Sequence, residues 1–404
     1  MTTATSPTVE FDPFSEDFFA NPYDIYRRMR QETPVYYSDR YDFYALSRHQ
    51  DVAAAFKDYE TFSSAYGVDL AQVRKDVVTE HGSIIAMDPP AHRRMRSLLN
   101  KVFTPRAIEA RRELVTSSVE RHLAAVDPRG FDFVQDFSAR FPVDVMTIMQ
   151  GVPEPDRQQV RVWIDDLLHR DPGQVDMSES GLKAGVDMAV YYYRLVKRRR
   201  GELGDDLLST LIAAEIERDG GAMEPLTDLE ITEFAMLLGG AGAETVTKLL
   251  GNAAVVFAQN PDQWQKLLDD RSKIPLAVEE LLRLEAPAQY NVRRALRDVT
   301  LHGVTIPAGK PVFLLGGSAN RDPQAWIDPD RFDITRDRTQ AQNLGFGYGI
   351  HSCLGAALAR MESVVALERM LDFMPQYEVD WTGCKRVNMQ NVAGWSHVPV
   401  RVLP

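Results

Sequence analysis

The sequence predicts a mainly α-helical fold with small flanking β-sheets. Three observations carry that expectation. Helical patterning dominates about 90–285 and 354–374. Strand-like runs fall elsewhere, at about 34–46, 299–313 and 387–402. One helix, opened by Leu226-Thr-Asp-Leu-Glu-Ile231 and stopped by Asn260-Pro261, should span about 32 residues, or roughly 48 Å. No repeat, low-complexity tract or long linker divides the chain, so 1–404 reads as one domain.

Taken in order, Val35-Tyr-Tyr and Phe43-Tyr-Ala-Leu46 read as short strands. Two helices are expected between Glu154 and Arg200, joined by the polar stretch Asp171–Ser178, a candidate mobile lid. The long helix starts on a capping box, Thr227 with Glu230, and a staple of Leu226 with Ile231. Its middle, Gly239-Gly-Ala-Gly242-Ala-Glu-Thr245, costs on the order of 1 kcal/mol per glycine relative to alanine, so something must compensate. A further helix begins near Pro275 and ends before Pro287, with Glu280 and Arg283 on one face.

Composition narrows the function. With 58 acidic and 46 basic side chains, a net charge of -12 and 44% hydrophobic residues, the chain reads as an ordinary globular protein rather than a nucleic-acid binder. Two cysteines, Cys353 and Cys384, exclude a disulfide scaffold and a multi-cysteine zinc site. The N-terminal residues lack a basic n-region and an apolar h-region, which gives the expectation of a cytoplasmic protein. The most apolar stretch, Phe234–Phe257, is interrupted by Glu244 and Lys248 and reads as a buried helix, not a membrane span.

The chemistry concentrates in Leu344-Gly-Phe-Gly-Tyr-Gly-Ile-His-Ser-Cys-Leu-Gly355, which runs into an Ala/Leu-rich helix. Cys353 thus stands at a helix N-terminus, where free N–H groups favour thiolate, as a metal ligand requires. The glycines allow sharp turns and close approach to a flat partner, with Phe346 as an aromatic wall.

Phe346-Gly-x-Gly-x-His351-x-Cys353-x-Gly355 resembles the haem-ligand signature of the cytochrome P450 family in its soluble bacterial form. The resemblance implies the family's triangular helical fold and a thiolate-ligated haem b, held axially by Cys353 with Phe346 and Gly355 beside it. It implies propionate partners at His92, Arg96, Arg293 and His351, with Ala241 and Gly242 against the macrocycle. Ala241-Gly-Ala-Glu244-Thr245 resembles the oxygen-activation motif, in which the helix opens locally and Glu244 and Thr245 deliver protons; Val246 replaces a second threonine common in relatives. Glu280-x-x-Arg283, with Arg321 downstream, resembles the buried network that holds the haem-ligand loop. The same spacing at Glu109/Arg112, Glu154/Arg157 and Glu215/Arg218 reads as surface pairs. By family position, substrate contacts fall on the loop about Phe62–Met87, the lid helices, Leu237, Leu238, Ala241, Gln289, Tyr290, Asn291, Val292 and Trp395.

The implied activity is a monooxygenase that inserts one atom of O₂ into a lipophilic small molecule. Electrons are expected from NAD(P)H through a reductase and a ferredoxin, because the length leaves no room for a flavin or iron–sulfur domain. Arg93, Arg94, Lys101, Arg106 and Arg360 form the expected basic face for that donor, and the protein is expected to be a monomer. A peroxide-driven peroxygenase and a non-catalytic haem sensor are the alternatives. No arginine lies between Leu237 and Leu250 to anchor a substrate carboxylate, and the Glu244-Thr245 pair is intact.

Overall fold

A helix that crosses the molecule organises the rest. The computed structural model describes residues 9–78, 83–100, 102–218 and 220–404. The helix runs from Asp228 to Gln259, 32 residues, and its capping box is complete. Thr227 Oγ1 accepts from the Glu230 N–H at 3.2 Å, and the Thr227 N–H donates to Glu230 Oε2 at 2.8 Å. Leu226 and Ile231 are both buried beside it, as a staple requires.

Helices Phe141–Met149, Arg157–Leu168, Glu179–Gly201 and Ala356–Phe373 pack around this element. That packing leaves no room for a side chain at two of its glycines. A Cβ at Gly242 would lie 2.3 Å from the Met146 side chain, and one at Gly239 would lie 3.0 Å from the Tyr192 hydroxyl. The cost of these glycines is therefore offset by helix–helix contact. The side chain missing at Gly242 would point at Met146.

The main sheet has five strands in the order Val35–Ser38, Phe43–Leu46, Pro311–Leu314, Asn291–Ala295, Phe62–Ser63. Asn291–Ala295 was not foreseen as a strand. It pairs antiparallel with Pro311–Leu314, placing Arg293 opposite Val312. The sequence NVRRA alternates poorly because Val292, Arg293 and Ala295 are all buried. A three-stranded sheet, Tyr377–Val379, Pro399–Val402 and Phe131–Asp132, was legible only in its C-terminal strand.

The two expected lid helices are Arg157–Leu168 and Glu179–Gly201. Their connection is tied down: the Gly173 N–H donates to Phe14 O at 2.6 Å, and the Arg170 N–H to Asn388 O at 2.9 Å. Beside the main sheet, Phe11, Phe18, Tyr26, Phe43, Tyr290 and Phe313 form an aromatic core separate from the helical one. Among the described residues no helix is long and apolar enough to cross a membrane.

Candidate active site

The loop before Cys353 is shaped by glycines at two points where nothing else fits. A Cβ at Gly345 would lie 2.5 Å from the Leu282 carbonyl oxygen, and Gly349 combines φ +73° with a Cβ position 2.6 Å from Phe56 O. The Cys353 N–H donates to Phe346 O at 2.9 Å and closes the turn. Helix Ala356–Phe373 follows. Cys353 remains accessible from a cavity of about 540 Å³ that Phe346, Glu279, Arg283, Trp326 and Arg360 also line.

Enclosure by protein pushes the Cys353 thiol above its ordinary value, while the Gly355 N–H, Arg96 and Arg360 pull it back. Enclosure thus opposes the thiolate bias expected of the helix N-terminus. A bound cation reverses that balance, since a coordinating thiol is deprotonated outright.

Behind the loop, Glu280 and Arg283 form a buried, doubly bonded pair, with Arg283 Nε and Nη2 donating to the two carboxylate oxygens at 2.8 Å each. Arg283 Nη1 also donates to Asn320 O at 2.8 Å and Pro329 O at 2.7 Å. The third member of the network is Arg336, whose Nε donates to Glu280 Oε1 at 3.0 Å. Arg321, expected in that place, instead bonds Leu284 O and Glu285 and lies 3.5 Å over the Tyr23 ring. Asn320 carries the network onward, accepting from the Leu344 N–H at 2.8 Å, while Asn343 accepts from the Gly345 N–H at 2.9 Å. Glu109 and Arg112 pair in the open, as expected of a surface pair.

Four cations or imidazoles converge on the other side of the loop. Arg96 Nη2 donates to Ser352 O at 2.7 Å. The His92 and His351 rings lie 4.3 Å apart, and the buried strand residue Arg293 acts on His351 electrostatically. Burial, with Arg96 adding repulsion, pushes His92 down to about 4. Burial and then Arg293 depress His351 as well, and burial lowers Arg293 to about 10. Both nitrogens of His92 and Nε2 of His351 are buried without a hydrogen-bond partner.

Ala241 is exposed and Thr245 half-exposed in the middle of a helix whose neighbours Ala243, Glu244 and Val246 are buried. The helix does not open here: it is continuous, and the Thr245 hydroxyl donates to Ala241 O at 2.9 Å. A hydroxyl without another partner takes the carbonyl of the preceding turn. Glu244 Oε1 lies 2.6 Å from Lys248 Nζ, with both side chains buried.

Several expected substrate contacts lie elsewhere. Tyr290 and Val292 belong to the aromatic core, and the Tyr290 hydroxyl donates to Gln390 O. Gln289 is buried and donates to Ala286 O at 2.7 Å, and half-buried Asn291 opens its strand opposite Leu314. Trp395 packs beside Gly251 and is covered by the Arg386 guanidinium at 3.9 Å. Leu237 and Leu238 stay on the long helix next to Ala241, Leu238 buried and Leu237 partly so.

Residues 180–374 match the family described as Cytochrome P450. Cytochrome P450 130 of Mycobacterium tuberculosis is 38% identical over 379 residues, covering 92% of each chain. The chain belongs to the cytochrome P450 family. The Vitamin D(3) 25-hydroxylase of Pseudonocardia autotrophica is 36% identical to this P450 over 411 residues, 100% of this chain and 99% of the relative. The crystal structure of CYP109E1 from Bacillus megaterium in complex with testosterone superposes with TM-score 0.87 at 30% identity, covering 96% of this chain and 100% of that one.

This P450 is accordingly a haem-thiolate monooxygenase, and its residues fit the group. Orphaned imidazole nitrogens beside buried Arg293 and half-buried Arg96 are what a pair of carboxylates would satisfy. An accessible cysteine sulfur stands at the head of a helix, and a small-residue face is left uncovered on the long helix.

Proposed function

We propose that this P450 inserts one oxygen atom of O₂ into a lipophilic small molecule of steroid, terpenoid, fatty-acid or polyketide-like character. The observation that carries this reading is the accessible Ala241/Thr245 step in an otherwise buried helix, with the Glu244 carboxylate beside it. A relative named for vitamin D(3) and a neighbour holding testosterone favour the steroid-like end of that range.

Cys353 would ligate the iron, and His92, Arg96, Arg293 and His351 would hold the propionates. When bound, the haem supplies O₂ binding and redox chemistry. The chain's own part is proton handling. Glu244 holds a proton-accepting group next to the reaction space, and Thr245 presents a hydroxyl that can turn from Ala241 O toward it. Leu237, Leu238 and Ala241 keep that space apolar. Thr245→Ala should leave haem content unchanged but raise the hydrogen peroxide released per NAD(P)H consumed several-fold. An unchanged peroxide yield would move proton delivery away from Thr245.

Electrons would come from NAD(P)H through a reductase and an acidic ferredoxin. Arg93 and Arg106 are exposed on the elements flanking the cysteine side, Arg94 lies beside them, and Lys101 lies outside the described residues. Arg360 is engaged with Glu279 at 2.5 Å, so it contributes less free charge than its position suggests. Haem reduction by a ferredoxin should slow steeply as the Debye length falls from about 10 Å at 0.1 M salt to about 3 Å at 1 M. Arg93→Glu with Arg106→Glu should slow it at low salt alone; indifference to both would place the donor elsewhere.

A further inference from the structure

The helix Glu179–Gly201 is apolar on two opposite sides. Its inner side is buried: Ala184, Met188, Tyr192, Leu195 and Val196 face the core, with Met188 and Tyr192 against Gly239 of the long helix. On the outer side Leu182, Val186, Val190 and Tyr193 are 59%, 62%, 43% and 38% exposed. Their spacing, one helical turn from each to the next, places them on one continuous stripe. Among the described residues no other helix exposes more than one large apolar side chain. Single exposed leucines or valines are ordinary on a protein surface, whereas a contiguous stripe marks an interaction site.

The stripe ends in opposite charges. At 3.6 residues per turn, Glu179 and Lys197 fall on the same face as Val186 and Val190, one at each end, and both are exposed. The pattern is antisymmetric about Met188: an acid and a base stand equally far on either side of it, and so do the two valines. A second copy related by a two-fold axis and running antiparallel lays Glu179 against Lys197, Val186 against Val190, and Lys183 beside the Tyr193 ring, each contact made twice. Antiparallel helices also oppose their dipoles. A parallel copy would instead set Glu179 on Glu179 and Lys197 on Lys197. Lys197 can serve this contact: it lies 3.2 Å from Asp228 but stays 58% exposed, and Asp228 is also held by Arg200. Lys183 and Asp187 neutralise each other within the helix.

We propose that the outer face of helix Glu179–Gly201 is a self-association surface on which a second copy of this chain docks its own helix antiparallel, in place of the monomer expected from the sequence. The face from Glu179 to Lys197 is about 27 Å long and about 10 Å wide. Its footprint of roughly 300 Å² per copy falls below the ~800 Å² of a standard interface, so the dimer is weak and answers to concentration.

Sedimentation equilibrium of the haem-loaded protein from about 1 to about 300 μM should show a mass rising from one chain toward two. Val186→Glu puts a carboxylate at the apolar centre and should leave a monomer across that range; because Val186 is exposed, the core is spared. Glu179→Lys or Lys197→Glu alone brings like charges together and should weaken association about tenfold. The double variant restores opposite charges in exchanged places and should return to within about threefold of the original. The ferrous–CO spectrum of each variant reports that the haem-bound fold survives. A single-chain mass at every concentration overturns the proposal, including when that monomer instead binds phosphatidylserine vesicles through the stripe. A dimer indifferent to Val186→Glu uses another face, and a double variant no tighter than either single one rules out the antiparallel register; each result overturns the proposal as well.

Discussion

Cys353→His should abolish the strongly red-shifted Soret band of the ferrous–CO complex, whereas Cys384→Ala should leave it intact. Of the two cysteines, Cys353 alone combines the tight glycine loop, the following helix and two nearby guanidinium groups. Cys384 sits before the short strand Lys385–Arg386, its sulfur near Asp380 O, where partial burial and then Asp380 and Asp132 disfavour thiolate. An imidazole at 353 can still bind iron but cannot supply the sulfur donor that sets this spectrum. Retention of the band in Cys353→His, or its loss in Cys384→Ala, would overturn the assignment.

Glu280→Ala and Arg283→Ala are expected to yield apoprotein or insoluble chain. Each leaves its partner charged and buried, which costs about 3–5 kcal/mol, a large share of the roughly 5–15 kcal/mol that holds a domain together. Arg283 also loses three backbone anchors, at Asn320, Pro329 and Arg331, so the segment that positions the cysteine loop is released. Arg336→Ala should follow the same pattern because its side chain is buried against the same carboxylate. Soluble expression and haem content per chain measure the effect. Stable holoprotein from Glu280→Ala or Arg283→Ala would mean that this network does not hold the loop.

The long helix was legible because its start, stop and glycine-rich centre are local signals, and the cysteine loop because its glycines answer close contacts within a short stretch. The third arginine was not. Arg336 lies in an irregular segment 56 residues from Glu280, where no periodicity points to a partner, while Arg321 sits in a more conspicuous motif and is used elsewhere. Lys248 stands one turn after Glu244 on the same helix, a spacing the sequence shows; what only packing shows is that both side chains are buried. Tyr290 and Gln289 sit just before a strand, where loop-like spacing gives no sign that Tyr290 packs into the aromatic core and Gln289 bonds the Ala286 carbonyl.

His92, Arg96, Arg293 and His351 are drawn from elements anchored in different hydrophobic clusters. The helix bearing His92 roots Met95 and Leu99 in the helical core. The Arg293 strand roots Val292 in the aromatic core and Ala295 in the small core of the main sheet, where Leu344 of the cysteine loop also lies. A ligand bound across such a seam acts by mass action on folding itself: each tenfold rise in free haem above its dissociation constant adds about 1.4 kcal/mol to the folded state. Haem supply during synthesis should then raise the yield of folded protein if these residues hold the haem.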